Sequence, residues 1–132
     1  MDKYVLRQYK PLEKEIICLK NEIERLRECF LSPPDNNGMP RAKGNRDRVS
    51  TLVARIVDLD SVLTAKLARM IDYRREIEDA LETLESAARL LLRLRYIEGF
   101  DWDKVASELG YEIDSKNVYK KHNNIIKKLQ NY

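Results

Sequence analysis

From Val5 to Phe30, apolar residues recur in unbroken steps of four and three: Val5, Tyr9, Leu12, Ile16, Leu19, Ile23, Leu26 and Phe30. Tyr9, Ile16, Ile23 and Phe30 take one core position of a heptad, and Val5, Leu12, Leu19 and Leu26 take the other. That spacing forces a helix packed along one seam, because only a helical period keeps all eight side chains on one face. The segments EKE, KNE and ERLRE place charge at the solvent positions. Pro11 interrupts the pattern early, since proline removes a backbone donor and crowds the turn before it. The helix therefore either kinks at Pro11 or begins near Lys10.

A loop is expected over 32–45, where two prolines, two asparagines and a glycine in Ser32 to Gly38 forbid a continuing helix. A second helix is expected to begin near Asn45 to Arg48. Its heptad runs Val49, Leu52, Ile56, Leu59, Leu63, Lys66, Met70, Tyr73, Ile77, Ala80, Leu84 and Ala87, with Lys66 the one charged member. At ~1.5 Å per residue this helix would span roughly 60 Å and the first about 40 Å. Folded back antiparallel, residues 5–30 cover the second helix only to near Asp72. The stripe Tyr73, Ile77, Leu81 and Leu84 then needs another partner, either the C-terminal part of the chain or a second copy. A two-helix hairpin also has a single seam in which to bury apolar surface. Residues 1–86 therefore read as a helical hairpin that forms a homodimer or higher homo-oligomer. The alternative is an intramolecular coiled coil completed by the C-terminal part.

Charge divides the chain at the same place. Residues 1–86 hold 16 basic and 16 acidic side chains, whereas residues 87–132 hold 9 and 6, which accounts for the whole net charge of +3. The two cysteines, Cys18 and Cys29, lie too far apart on one expected helix to bridge within it, and neither forms a metal-ligand spacing with His122. No metal or cofactor is implied. A reducing cytoplasm fits this usage best; no apolar run approaches the ~20 residues of a membrane span, and the N-terminus is no signal peptide.

Residues 87–132 read as a helix-turn-helix domain. The run RLLLRLRYIEGF gives a first helix, with Ser86 as its expected N-cap; DWDKVASELGY gives a short positioning helix capped by Asp101; SKNVYKKHNNIIKKL gives a final helix. Ala106 lets two helices cross closely, Gly110 sits where the chain turns, and Val118 anchors the last helix. Trp102, Val105 and Leu109 are expected to pack against Leu91, Leu92, Leu94 and Tyr96. The last helix carries Lys116, Lys120, Lys121, Lys127 and Lys128 with no acidic residue between Ser115 and Tyr132, a composition suited to a polyanion. Ser115, Lys116, Asn117, Tyr119 and Lys120 lie near its N-terminal end, where a recognition helix presents side chains to base edges of double-stranded DNA. Lys127 and Lys128 would hold the phosphate backbone without reading sequence. The competing reading is a solvated lysine face favoured by the helix dipole. Arg89, Arg93 and Arg95 could touch phosphates or remain solvated. The basic loop from Met39 to Arg46 is a second candidate contact, or simply a soluble connection.

Nothing supports an enzyme. There is no glycine-rich phosphate loop and no spacing that pairs a nucleophile with a base, and the carboxylates alternate with Lys and Arg as surface ion pairs do. His122 falls on the apolar side of the last helix with Val118, Ile125 and Leu129, so packing is its expected role.

The C-terminal part resembles the helix-turn-helix of sigma-factor region four over about 40 residues, through Leu91, Leu92, Leu94, Arg95, Tyr96, Gly99, Trp102, Val105, Ala106, Leu109, Gly110, Val118, Ile126 and Leu129. The whole chain resembles small phage and prophage proteins of Gram-positive hosts. That resemblance rests on Gly38-Met39-Pro40-Arg41, on the segment Val53 to Leu59, and on LLLRLRYIEG. It implies kinship with RinA/ArpU-type phage late-gene regulators: a DNA-binding transcriptional regulator in the bacterial cytoplasm, with RNA polymerase as a candidate partner. Two departures stand out. Seven residues separate Gly110 from Val118 where about five are usual, so that Glu112 and Ile113 look inserted. Lys121 stands at a usually apolar position, so its stem must snorkel or the helix must rotate. Two other functions stay open: a coiled-coil interaction protein with a degenerate helix-turn-helix, and a phage DNA-packaging recognition subunit.

Overall fold

The computed structural model describes residues 3–31, 44–110 and 114–130, and every regular element among them is helical. Helix α1 spans Lys3–Leu31 and α2 spans Gly44–Leu81. Then come α3 at Ser86–Leu92, a π-helical turn at Arg93–Ile97 that continues it, α4 at Trp102–Glu108 and α5 at Ser115–Gln130. The all-α class and the antiparallel α1–α2 hairpin are as the heptads require. Residues 32–43 of the expected loop and the inserted-looking Glu112 and Ile113 lie outside the described residues, while Gly44 and Asn45 open α2.

The chain divides into two compact units, Lys14–Ala68 and Met1–Glu13 with Arg69–Tyr132. In the first, α1 and α2 pair along one seam. Ile16, Ile23 and Leu59 are buried, and Leu19, Leu26, Leu52, Ile56 and Leu63 are half-buried. Lys66, the charged member of the heptad, keeps its stem in the seam and reaches Glu15 at 2.9 Å. Arg55–Glu22 at 3.2 Å and Arg27–Asp60 at 3.7 Å flank the same seam. Such half-exposed pairs contribute at most about 1 kcal/mol each and serve mainly to fix register. At one end of the heptads Phe30 and Val49 are exposed, and Val53 and Val57 lie outside the seam altogether.

The second unit holds the larger core. Val5, Leu6 and Tyr9 from the start of α1 join Ile77 and Leu81 from the end of α2, Leu91 and Leu92 from α3, Val105 and Ala106 from α4, and Val118, Ile126 and Leu129 from α5. The stripe that needed a partner beyond Asp72 thus finds it within the chain: Ile77 and Leu81 are fully buried, and Tyr73 and Leu84 pack on the same core. This burial also explains why α1 begins at Lys3 and runs on through Pro11, instead of starting near Lys10. Pro11 is exposed, while the turns before it are held by Val5, Leu6 and Tyr9. Packing outweighs the one backbone bond the proline removes.

Ser86 does not cap α3. Glu85 holds the cap position in extended backbone without a side-chain hydrogen bond, and the break comes earlier, where the Thr83 hydroxyl donates to the Ala80 carbonyl at 2.7 Å. The first helix of the C-terminal trio is also not uniform to Tyr96. From Arg93 it widens, with Glu98 N–H bonding the Arg93 carbonyl and Phe100 N–H reaching the Leu94 carbonyl across Gly99, whose φ is 77°. A left-handed glycine at this place ends the helix without Cβ strain.

Candidate nucleic-acid interface

Helix α5 is amphipathic in a way that fixes its orientation. Val118, His122, Ile126 and Leu129, spaced by four, four and three, are buried. Lys116, Lys120 and Lys127, spaced by four and seven, therefore share the opposite face. Asn117 and Lys128 stand on one flank of that face, with Lys121 and Asn124, and all are exposed. Among the described residues Lys116, Lys120, Lys127 and Lys128 make no ion pair. Lys121 is exposed, in keeping with a snorkelling stem beside Val118 and Ile125.

Two of the residues singled out from the sequence stand apart from this face. Ser115 is half-buried on the inward flank. Tyr119 is 49% exposed, but its ring stands edge-on to Trp102 at 5.3 Å, so it borders an aromatic cluster. The start of α5 is also already occupied by a carboxylate. Asp114 accepts the Asn117 N–H at 2.9 Å, which caps the helix and disfavours a second anion at that end. The exposed lysine face, and not the capped helix tip, is therefore the main cationic surface of α5. Helix α4 positions α5 from behind. Asp101 caps α4 by accepting the Lys104 N–H at 2.8 Å, and the buried Val105 and Ala106 meet the α5 core residues. Gly110, with φ 70°, closes α4 before the turn.

His122 is packed, as expected, and fully bonded. Its Nδ1 lies 3.1 Å from Asn123 Oδ1, and Nε2 meets the Tyr96 hydroxyl. The neutral ring satisfies both contacts, with Nδ1–H donating to Asn123 and Tyr96 donating to Nε2. Trp102 stands edge-on to it at 4.7 Å. Burial pushes the His122 pKa down, and Arg95, Lys3 and Arg7 push it further the same way against the opposing bond to Asn123. Burial likewise raises the Tyr96 hydroxyl.

The three arginines of the first C-terminal helix have separate roles. Arg93 forms a two-pronged bridge to Glu78, which Arg74 also holds at 2.9 Å while donating to the Tyr9 hydroxyl at 3.0 Å. The Arg93 bond, ahead of the other causes, keeps the Glu78 carboxyl below the usual carboxylate range. Arg89 pairs loosely with Glu82 at 3.8 Å. Arg95 alone of the three has no carboxylate partner among the described residues; its guanidinium lies 4.4 Å from the Trp102 ring centre and donates to the Phe100 carbonyl at 2.9 Å.

Sequence reasoning did not place Lys3 and Arg7 at this site. Both act electrostatically on His122, and Lys10 on the same helix edge lies against Gly99, within 2.9 Å of where a Cβ would stand. The available signal was the spacing of Lys3, Arg7 and Lys10 by four and three, hidden among the other charges of α1.

A groove of about 250 Å³ runs between α3 and α5, floored by Ala88, Leu91, Val118 and Ile125 and edged by Lys121 and Lys128. Among the described residues no cluster of three His, Cys, Asp or Glu side chains is placed to hold a metal, and no helix is long and apolar enough to cross a membrane. Cys18 and Cys29 are free and exposed. No family model, curated protein or solved structure matches the chain.

Proposed function

We propose that the chain is a phage-type transcriptional regulator that binds double-stranded DNA through α5. The observation that carries this reading is the outward face of α5: Lys116, Lys120 and Lys127 in line, flanked by Asn117 and Lys128, with no carboxylate on the helix. The core that holds α5 against α3 and α4 keeps this face turned to solvent. Lys127 and Lys128 supply backbone contacts, while Lys116, Asn117 and Lys120 are the readers of base edges. RNA polymerase is a candidate further partner through the sigma-like resemblance.

A second copy of the chain completes the proposal. The hairpin unit has a thin core, and Val53 and Val57 are 45% and 57% exposed on the outer side of α2. Pairing through that unit would bring two DNA-contacting faces together and make two weak half-sites strong. The test is selection of bound duplexes from a random pool. The wild-type protein should enrich one sequence, and the variant with Lys116, Asn117 and Lys120 all changed to Ala should enrich none. Equal enrichment by both would remove the assignment of these readers.

A further inference from the structure

We infer that the opening turns of α1 form a second phosphate-contacting edge, made by Lys3 and Arg7 together with Arg95, beside the recognition helix. The inference rests on the DNA-binding reading and extends it to a segment that the sequence assigns to the hairpin. Burial of Val5, Leu6 and Tyr9 fixes the rotation of α1 in its unit. Lys3, Arg7 and Lys10 then share the edge next to Leu6. Lys10 lies over Gly99, the residue that leads into Phe100, and the Phe100 carbonyl holds Arg95. This edge therefore runs alongside the end of the π-helical turn, where Arg95 is spread on Trp102. Trp102 in turn meets Tyr119 and His122 on α5.

The charge balance points to an anion. Lys10 is neutralised by Glu13 at 2.8 Å, but Lys3, Arg7 and Arg95 make no ion pair among the described residues. All three bear on His122 with the same repulsive sign. Three cations gathered from segments far apart in the chain, none of them ion-paired among the described residues, are relieved by a polyanion that spans them. The flank of α5 nearest this cluster carries Tyr119 and Asn123, and the Lys116–Lys120–Lys127 face lies just beyond. A duplex lying on that face continues over the cluster with its sugar-phosphate backbone, so this edge carries no sequence information.

The test compares the wild-type chain with the double variant Lys3→Ala/Arg7→Ala, measuring DNA affinity by fluorescence anisotropy between about 50 and 200 mM salt. Removing one cation from a phosphate should flatten the log–log salt slope by about 0.9, so the double variant's slope should fall by roughly 2. Over that fourfold salt range the wild type then loses about twelvefold more affinity than the variant. A control variant, Lys20→Ala/Arg25→Ala, removes the same charge from exposed positions in the hairpin unit and should keep the wild-type slope. Melting followed by Trp102 fluorescence should be the same for all three proteins. A double variant with the wild-type slope overturns this inference alone, and so does a control whose slope flattens as much as the double variant's. A wild-type chain that binds no DNA at any salt overturns the reading beneath it as well.

Discussion

Changing Ile77 to Ala tests how the end of α2 is buried. Ile77 is fully enclosed in the core that joins α1, α2, α3, α4 and α5. Removing about three carbon atoms loses ~2.4 kcal/mol of transfer free energy. A void that relaxes only halfway adds roughly 1 kcal/mol, so the total loss should be about 3–4 kcal/mol. Urea unfolding followed through Trp102, the sole tryptophan and a member of this unit, reads the loss where it occurs. Because the burial lies within one chain, the loss should not depend on protein concentration over about a tenfold range. The contrasting variant is Val57→Ala on the hairpin unit. That side chain is 57% exposed, and the change should cost less than about 0.5 kcal/mol in a lone chain. If a second copy covers it, the cost becomes larger and depends on concentration. An Ile77→Ala loss below about 1 kcal/mol, or one that vanishes at high protein concentration, would refute the account of this core.

Three further outcomes are expected. Lowering the pH should destabilise the chain in two steps. The His122 ring is held below its ordinary 6.5 by burial and by Arg95, Lys3 and Arg7, so the unfolded chain takes up the proton first and stability falls as pH drops from about 6.5. Glu78, held below 4.5 chiefly by Arg93, stabilises the fold at neutral pH and loses that contribution as pH falls through its folded value. His122→Gln should flatten the upper step and Glu78→Gln the lower, as read from melting temperature against pH; an unchanged upper step in His122→Gln would sink the first assignment. Gly99→Ala should cost about 1–2 kcal/mol, mostly from its left-handed backbone, because the nearest atom is the mobile end of Lys10. Gly110→Asn should cost only a few tenths of a kcal/mol, since nothing stands within 4 Å of a Cβ there and Asn tolerates a positive φ; a larger loss for Gly110→Asn than for Gly99→Ala would reverse the argument.

The heptads made the hairpin legible because a seam needs the same residue type every three or four positions, and Ile16, Ile23 and Leu59 sit where that rule puts them. Leu6 was not legible. It falls outside the α1 heptad, yet it is 1% exposed because α1 has a second neighbour in its own unit, and a one-seam pattern does not encode a second seam. For the same reason the stripe at Ile77 and Leu81 stayed open in the sequence between the C-terminal part and a second copy, and the covering helices are those of the chain itself. Asp101 was a readable cap because its carboxylate bonds a neighbour three residues on, whereas Glu85 caps by backbone shape alone and carries no such signal. At the candidate site, the α5 lysines followed from their spacing against Val118 and Leu129. Tyr119 could not be separated from them, since its contact with Trp102 depends on the crossing of α4 and α5. Lys3 and Arg7 join the site only through the fold of residues far apart in the chain.

The most direct test of the central claim is a salt titration of the wild-type chain on duplex DNA of unselected sequence. On unselected duplex Lys116 and Lys120 have no cognate bases to read and rest on phosphates with Lys127 and Lys128, so four contacts of about 0.9 each set an expected log–log slope near −3.6 or steeper. Binding that is measurable at about 50 mM salt and falls along such a slope is the result predicted. Absence of binding at that salt, or an affinity indifferent to salt, would show that the lysine face of α5 is only a solvated surface.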